Sequence, residues 1–218
     1  MIALPSVALA GVLSWASGFR LYAALFIAGM LDRFHVVALP DKLAILSHTP
    51  VLIVTGVLLV VEFLIDKVPA LDSAWDSVQT FVRVPLGALL AWGVFAHASP
   101  EVQAVATIAG GALAAGTHIA KAGTRAVVNT SPEPFSNWGL SFSEDGVLLL
   151  GLWLAFKHPL AFVALLVLFV LLLIWLIPKL WRGLRALQRG FQRLFARGGQ
   201  SGHPPTPAAT AMRERDGA

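Results

Sequence analysis

Cysteine is absent from the 218 residues, so no disulfide, zinc thiolate or iron–sulfur cluster can form. Charge is scarce: 13% of residues are charged against 57% hydrophobic, a balance that excludes an ordinary soluble domain. No Lys or Arg precedes Arg20, so the charged start of a secretory signal is missing and the first apolar run reads as a retained span. Gly110-Gly111 lacks a Gly-Lys-Ser/Thr continuation and lies within an apolar run; it reads as close helix packing, not a phosphate loop. His35, His48, His97, His118 and His158 are scattered without metal-ligand spacing, so no metal and no cofactor is expected. Serine-nucleophile motifs are absent as well. The chain is not read as an enzyme; chemistry on a lipid phosphate would have only Glu62 and His118 as acid or base.

What remains is a series of apolar runs, most of them near the roughly 17–25 residues that cross a bilayer as helix. They fall at 2–31, 51–65, 77–98, 102–128, 146–156 and 160–177. The expected fold is all-α: a polytopic membrane helical bundle of about six spans. Pro50 after Thr49, and Pro100 after Ser99, are helix start signals. The first run is interrupted by Ser14, Ser17 and Gly18 ahead of Arg20, where a membrane helix breaks. Residues 40–46 suit a short interfacial helix, 130–138 a proline-rich loop, and Ser143-Glu144-Asp145 a cap on the fifth span.

The fourth run carries the least ordinary pattern. His118, Lys121 and Arg125 stand at i, i+3 and i+7, on one face of a helix. Ionisable groups at membrane depth are costly and mark functional sites. The first run offers a counterpart: Gly18 precedes Arg20 as Gly116 precedes His118. Gly56-Val-Leu-Leu likewise recurs as Gly146-Val-Leu-Leu, with Lys67 and Pro69 matching Lys157 and Pro159. Residues 1–98 and 99–178 thus read as two three-span repeats. An odd span number makes them inverted, as in many transporters, each with a broken first helix and a site between them. Arg20, His118, Lys121 and Arg125, with Ser17, Gly18, Gly116 and Thr117, would hold a small anionic ligand there, because amides freed at a helix break attract anions. Glu62, Asp66 and Arg83 would balance charge or couple ions, and the acids have no counterpart in the second repeat.

Each residue also has a plainer reading. Arg20 pairs with Glu62 or Asp66, His118 is a neutral histidine bonded across helices, and Lys121 and Arg125 snorkel to headgroups. Residues 179–198 space Trp181, Leu184, Leu187, Phe191 and Leu194 between arginines, a basic amphipathic helix for an anionic leaflet. Residues 199–218 read as a disordered tail. The arginines, which contribute to a net charge of +4, indicate a cytoplasmic C-terminus and, with six spans, a cytoplasmic N-terminus; no nucleic-acid partner is implied. Two functions follow. One is a transporter or channel-like permease for a small anion or anionic headgroup, working as a homo-oligomer because six short helices enclose little. The other is a structural or regulatory membrane protein with internal salt bridges and a lipid- or partner-binding tail.

The stretch 115–138, AGTHIAKAGTRAVVNTSPEPFSNW, together with SGFRLYAALF at 17–26, resembles the bacterial membrane family termed domain of unknown function 4126. The resemblance covers about residues 5–180. It implies a small polytopic protein of the bacterial inner membrane and no particular reaction.

Overall fold

The computed structural model describes residues 3–128 and 134–198, and it is all-helical. Six α-helices follow in order: α1 Leu4–Arg33, α2 Thr49–Ile65, α3 Pro69–Val94, α4 Pro100–Val128, α5 Pro134–Lys157 and α6 Pro159–Gly198. A 3₁₀ segment, Asp41–Ser47, stands before α2 where the sequence predicts a short interfacial helix. Every α-helix starts at or beside a proline, which has a preset φ and no N–H to leave unpaired in the first turn. Among the described residues five helices are long and apolar enough to cross a membrane; a sixth span results if the 3₁₀ segment and α2, bent by 65°, count as one.

α1, α3 and α4 make the closest-packed trio, with α2 and α5 against α1. In its apolar window α1 is 72% buried and α6 only 11%, which makes α1 the central helix and leaves α6 facing outward. Small residues allow the backbones to approach. A Cβ on Gly18 would overlap the carbonyl of Ala114, and one on Gly110 would lie 2.7 Å from the Gly87 carbonyl. α6 meets the bundle through Phe162, Leu166 and Phe169, which pack on Gly11 and Trp15 of α1.

The structure corrects several sequence expectations. α3 begins at Pro69, so Asp72, Trp75 and Asp76 are helical and not a connection. α5 begins at Pro134, so 134–138 is its first turn, and Ser143-Glu144-Asp145 lies inside the helix instead of capping it. In both cases the polar residues resemble chain ends, because nothing local shows that a distant cation accompanies them into the core. Of the expected broken first helices one is seen: α1 leaves helical geometry at Arg20 (φ −142°, ψ 73°), whereas α4 is helical from Pro100 to Val128. The chain divides into two compact units, Met1–Ile177 and Pro178–Ala218. Residues 129–133, in the predicted loop, and the tail 199–218 lie outside the described residues.

Candidate functional site: a buried charge network

The break at Arg20 sends its side chain into the bundle, where it is fully buried. Its Nη1 lies 2.7 Å from Asp66 Oδ2, and its Nη2 donates to the carbonyl (2.9 Å) and hydroxyl (2.8 Å) of Ser141. Its Nε lies 3.2 Å from Asp145 and 3.4 Å from Glu144. One guanidinium therefore ties the middle of α1 to the end of α2 and to the first half of α5. Only arginine has the donor fork for this.

Arg125 completes the same node from α4. It grips Glu144 with two bonds, Nε to Oε1 at 3.1 Å and Nη2 to Oε2 at 2.8 Å. Its Nη1 donates to the Asp66 carbonyl at 2.7 Å and lies 3.4 Å from Asp72. Lys121, one turn earlier on the same face, stands 3.6 Å from Asp66, 3.7 Å from Glu144 and 4.0 Å from Asp76. Neither side chain snorkels: both are buried, and both are met by acids. Asp66, which the sequence places at a helix end, is buried too.

A second node surrounds Arg83 in α3. It contacts Glu62 at 2.7 Å and Asp76 at 3.0 Å, and its Nη1 donates to Nδ1 of His118 at 3.1 Å. A guanidinium can only donate, so Nδ1 is the acceptor and the histidine proton sits on Nε2. That proton is donated to Thr80 Oγ1 at 2.7 Å, and Thr80 donates onward to the Asp76 carbonyl at 3.0 Å. His118 is therefore neutral and bonded across helices, the plainer of its two readings. Lys121, within 4.0 Å of Asp76, links the two nodes.

Among the described residues the network thus joins Arg20, Arg83, Lys121 and Arg125 to Glu62, Asp66, Asp72, Asp76, Glu144 and Asp145: six carboxylates paired with four cations. Lys67 stands beside it, its ammonium 3.0 Å from the centre of the Phe63 ring. Two carboxyls lie outside the apolar spans. Burial alone raises Asp66, but Lys121, Arg20 and Arg125 outweigh it and hold its carboxyl below the usual range. Asp72 is pushed up to about 7, chiefly by burial, with Arg125 opposing and Asp76 and Asp66 adding.

Seven of the sequence-predicted residues lie in this network: Arg20, Glu62, Asp66, Arg83, His118, Lys121 and Arg125. Ser17, Gly18, Gly116 and Thr117 lie at helix contacts instead. Ser17 donates to the Ser14 carbonyl, Thr117 to the Leu113 carbonyl, Gly18 abuts Ala114, and Gly116 faces Leu173. Sequence reasoning missed Asp72, Asp76, Ser141, Glu144 and Asp145. A signal existed: Asp72, Asp76 and Arg83 stand at i, i+4 and i+11, and Ser141, Glu144 and Asp145 at i, i+3 and i+4, each set on one helical stripe. Acidic partners therefore also come from α5, contrary to the expectation that they belong to residues 1–98 alone.

Five surface cavities are lined by other residues and do not reach the network. Among the described residues no group of three or more His, Cys, Asp or Glu side chains is arranged to hold a metal ion. No curated protein and no solved structure matches the chain. A family model described as a domain of unknown function (DUF4126) matches residues 7–179, which include the whole charge network. The chain belongs to that family, and its apolar helices mark it as a membrane protein.

Proposed function

We propose that this protein is a small permease of the bacterial inner membrane that passes protons along its buried charge network. The observation that supports this reading most is that among the described residues six acids are paired with four cations in a network reaching five helices, with Lys67 the one further cation that acts on Asp145 and Asp66. The basic stripe His118, Lys121, Arg125 alone suggests a small anion or anionic headgroup. Those cations are already met by acids, and a further negative charge would enlarge an existing excess. Protons need no open pore, only hydrogen-bonding groups in succession. Asp145 is the natural way in, because its side chain is 29% exposed while its network partners Asp66 and Glu144 are 0% and 5% exposed. The reading assigns no enzymatic step and no cofactor.

The arginines of 179–198 support a cytoplasmic C-terminus, a contact with anionic lipid and, with six spans, a cytoplasmic N-terminus. The repeat unit of three spans supports a site shared by two halves, and the thin bundle supports a homo-oligomer.

A second reading, a structural protein with fixed internal salt bridges, draws support from the pairing itself: each network cation has a carboxylate within 4.0 Å. Flux in liposomes separates the possibilities. Under an imposed potential, protein-containing vesicles should acidify or alkalinise faster than empty ones, with no chloride flux. Equal rates would favour the structural reading. Chloride flux that depends on Arg20 and Lys121 would restore the anion.

A further inference from the structure

The opposite end of α1 carries a feature the charge network does not use. α1 stops at Arg33, and the chain turns through His35, whose φ of 57° lies in the left-handed region. Glycine is the residue free of strain at such a helix end. Histidine is one of the non-glycine residues that adopt this region, and His35 lines the same recess as His48 and Thr49 at the start of α2. The turn is closed by the Leu39 N–H, which donates to Asp32 Oδ1 at 2.9 Å. The Arg33 guanidinium donates to the Ser47 carbonyl at 3.2 Å. These ties leave a recess of about 550 Å³ lined by Arg33, His35, His48 and Thr49, with Asp32 already accepting from Leu39.

Arg33 and Thr49 also line a second cavity, an apolar groove of about 660 Å³ between α1 and α2. Its wall includes Phe26, Ile53 and Val57, and the Phe26 ring packs against Gly56, where a Cβ would stand 3.1 Å from it. A polar recess holding an arginine and two histidines thus continues into an apolar channel along a span. The guanidinium donors at one end and the apolar groove beyond them match a molecule with a phosphate at one end and a hydrocarbon chain at the other.

We propose that the end of α1 and the start of α2 form a phospholipid seat, with the phosphate at Arg33 between His35 and His48 and an acyl chain along Phe26, Gly56 and Val57. Arg33 is the one Arg or Lys in the lining and its planar guanidinium donors suit phosphate oxygens; the Asp32 carboxylate in the same lining offsets its charge, so the seat works through donor geometry and not through net charge. The seat is separate from the charge network and does not depend on the proton reading.

The test is thermal unfolding of the full chain in detergent, titrated with phosphatidylglycerol. Dioleoylglycerol, which keeps the chains without the phosphate, and inorganic phosphate, which lacks the chains, are compared with it. Phosphatidylglycerol should raise the melting temperature saturably and the other two should not. Arg33→Gln removes the charged donor, and Val57→Trp fills the groove at a position 58% exposed, so its fold is kept even if Arg33→Gln loosens the turn. Each should raise the half-saturating lipid concentration by at least about tenfold. Lys157→Gln, which lines a different cavity, should leave it unchanged. Unchanged titration of Val57→Trp, equal stabilisation by dioleoylglycerol, or equal stabilisation by inorganic phosphate would each overturn the proposal.

Discussion

Asp66 is met by three cations, Arg20 at 2.7 Å, Arg125 at 3.4 Å and Lys121 at 3.6 Å. Burying any one of these charges singly would be prohibitive; burying them together is tolerated because each finds an opposite charge or a hydrogen bond. Removing one partner is therefore worse than removing two. Arg83→Met alone leaves Glu62 buried and unmatched, and should destabilise by about 3–5 kcal/mol. The double variant Arg83→Met/Glu62→Gln should lose less than the sum of the single losses, a coupling that thermal unfolding of the four proteins measures. Asp72 adds a pH signature. Its folded pKa of about 7 lies above the unfolded value near 3.8, so its contribution to stability is present at low pH and is lost as pH rises through 7. Asp72→Asn should therefore gain on wild type between pH 5 and pH 8, by roughly 2–4 kcal/mol at most, since the buried residue no longer ionises.

At the scale of elements, the helices were largely legible and their company was not. Proline start signals mark the beginnings of α2 and α4, and the Ser-Gly-x-Arg sequence marks the break in α1. The starts of α3 and α5 were misread because Asp72, Asp76, Glu144 and Asp145 look like chain ends; their burial is decided by Arg20, Arg83 and Arg125, up to 125 residues away in sequence. The basic stripe on α4 could be read from helical periodicity, but its partners could not, because pairing across helices has no period. Packing of α1 on α4 gives a direct check. Gly18→Ala would push a methyl group into the Ala114 carbonyl and should destabilise by about 1–3 kcal/mol. Gly146→Ala, where a Cβ meets nothing within 4 Å, should stabilise by about 0.5–1 kcal/mol through helix propensity alone. Thermal melts of the two variants distinguish close approach from a general intolerance of glycine replacement.

For the whole molecule, the arrangement is a core of α1, α3 and α4 with charge concentrated where the end of α2, the start of α3, the end of α4 and the first half of α5 converge. The outward face of α6 is left to lipid. A bundle that only needed stability would do as well with apolar residues in place of the ion pairs. The excess of acid over base is what points beyond stability to proton handling. The most direct measurement is proton flux through reconstituted wild type and Asp145→Asn, each matched to its own melting curve. The account predicts wild-type flux above empty vesicles and a loss of about tenfold or more in Asp145→Asn at nearly unchanged melting temperature, because Asp145 is the most exposed of the network acids with a described pair. Wild-type flux no greater than that of empty vesicles, or full flux in Asp145→Asn, would contradict it.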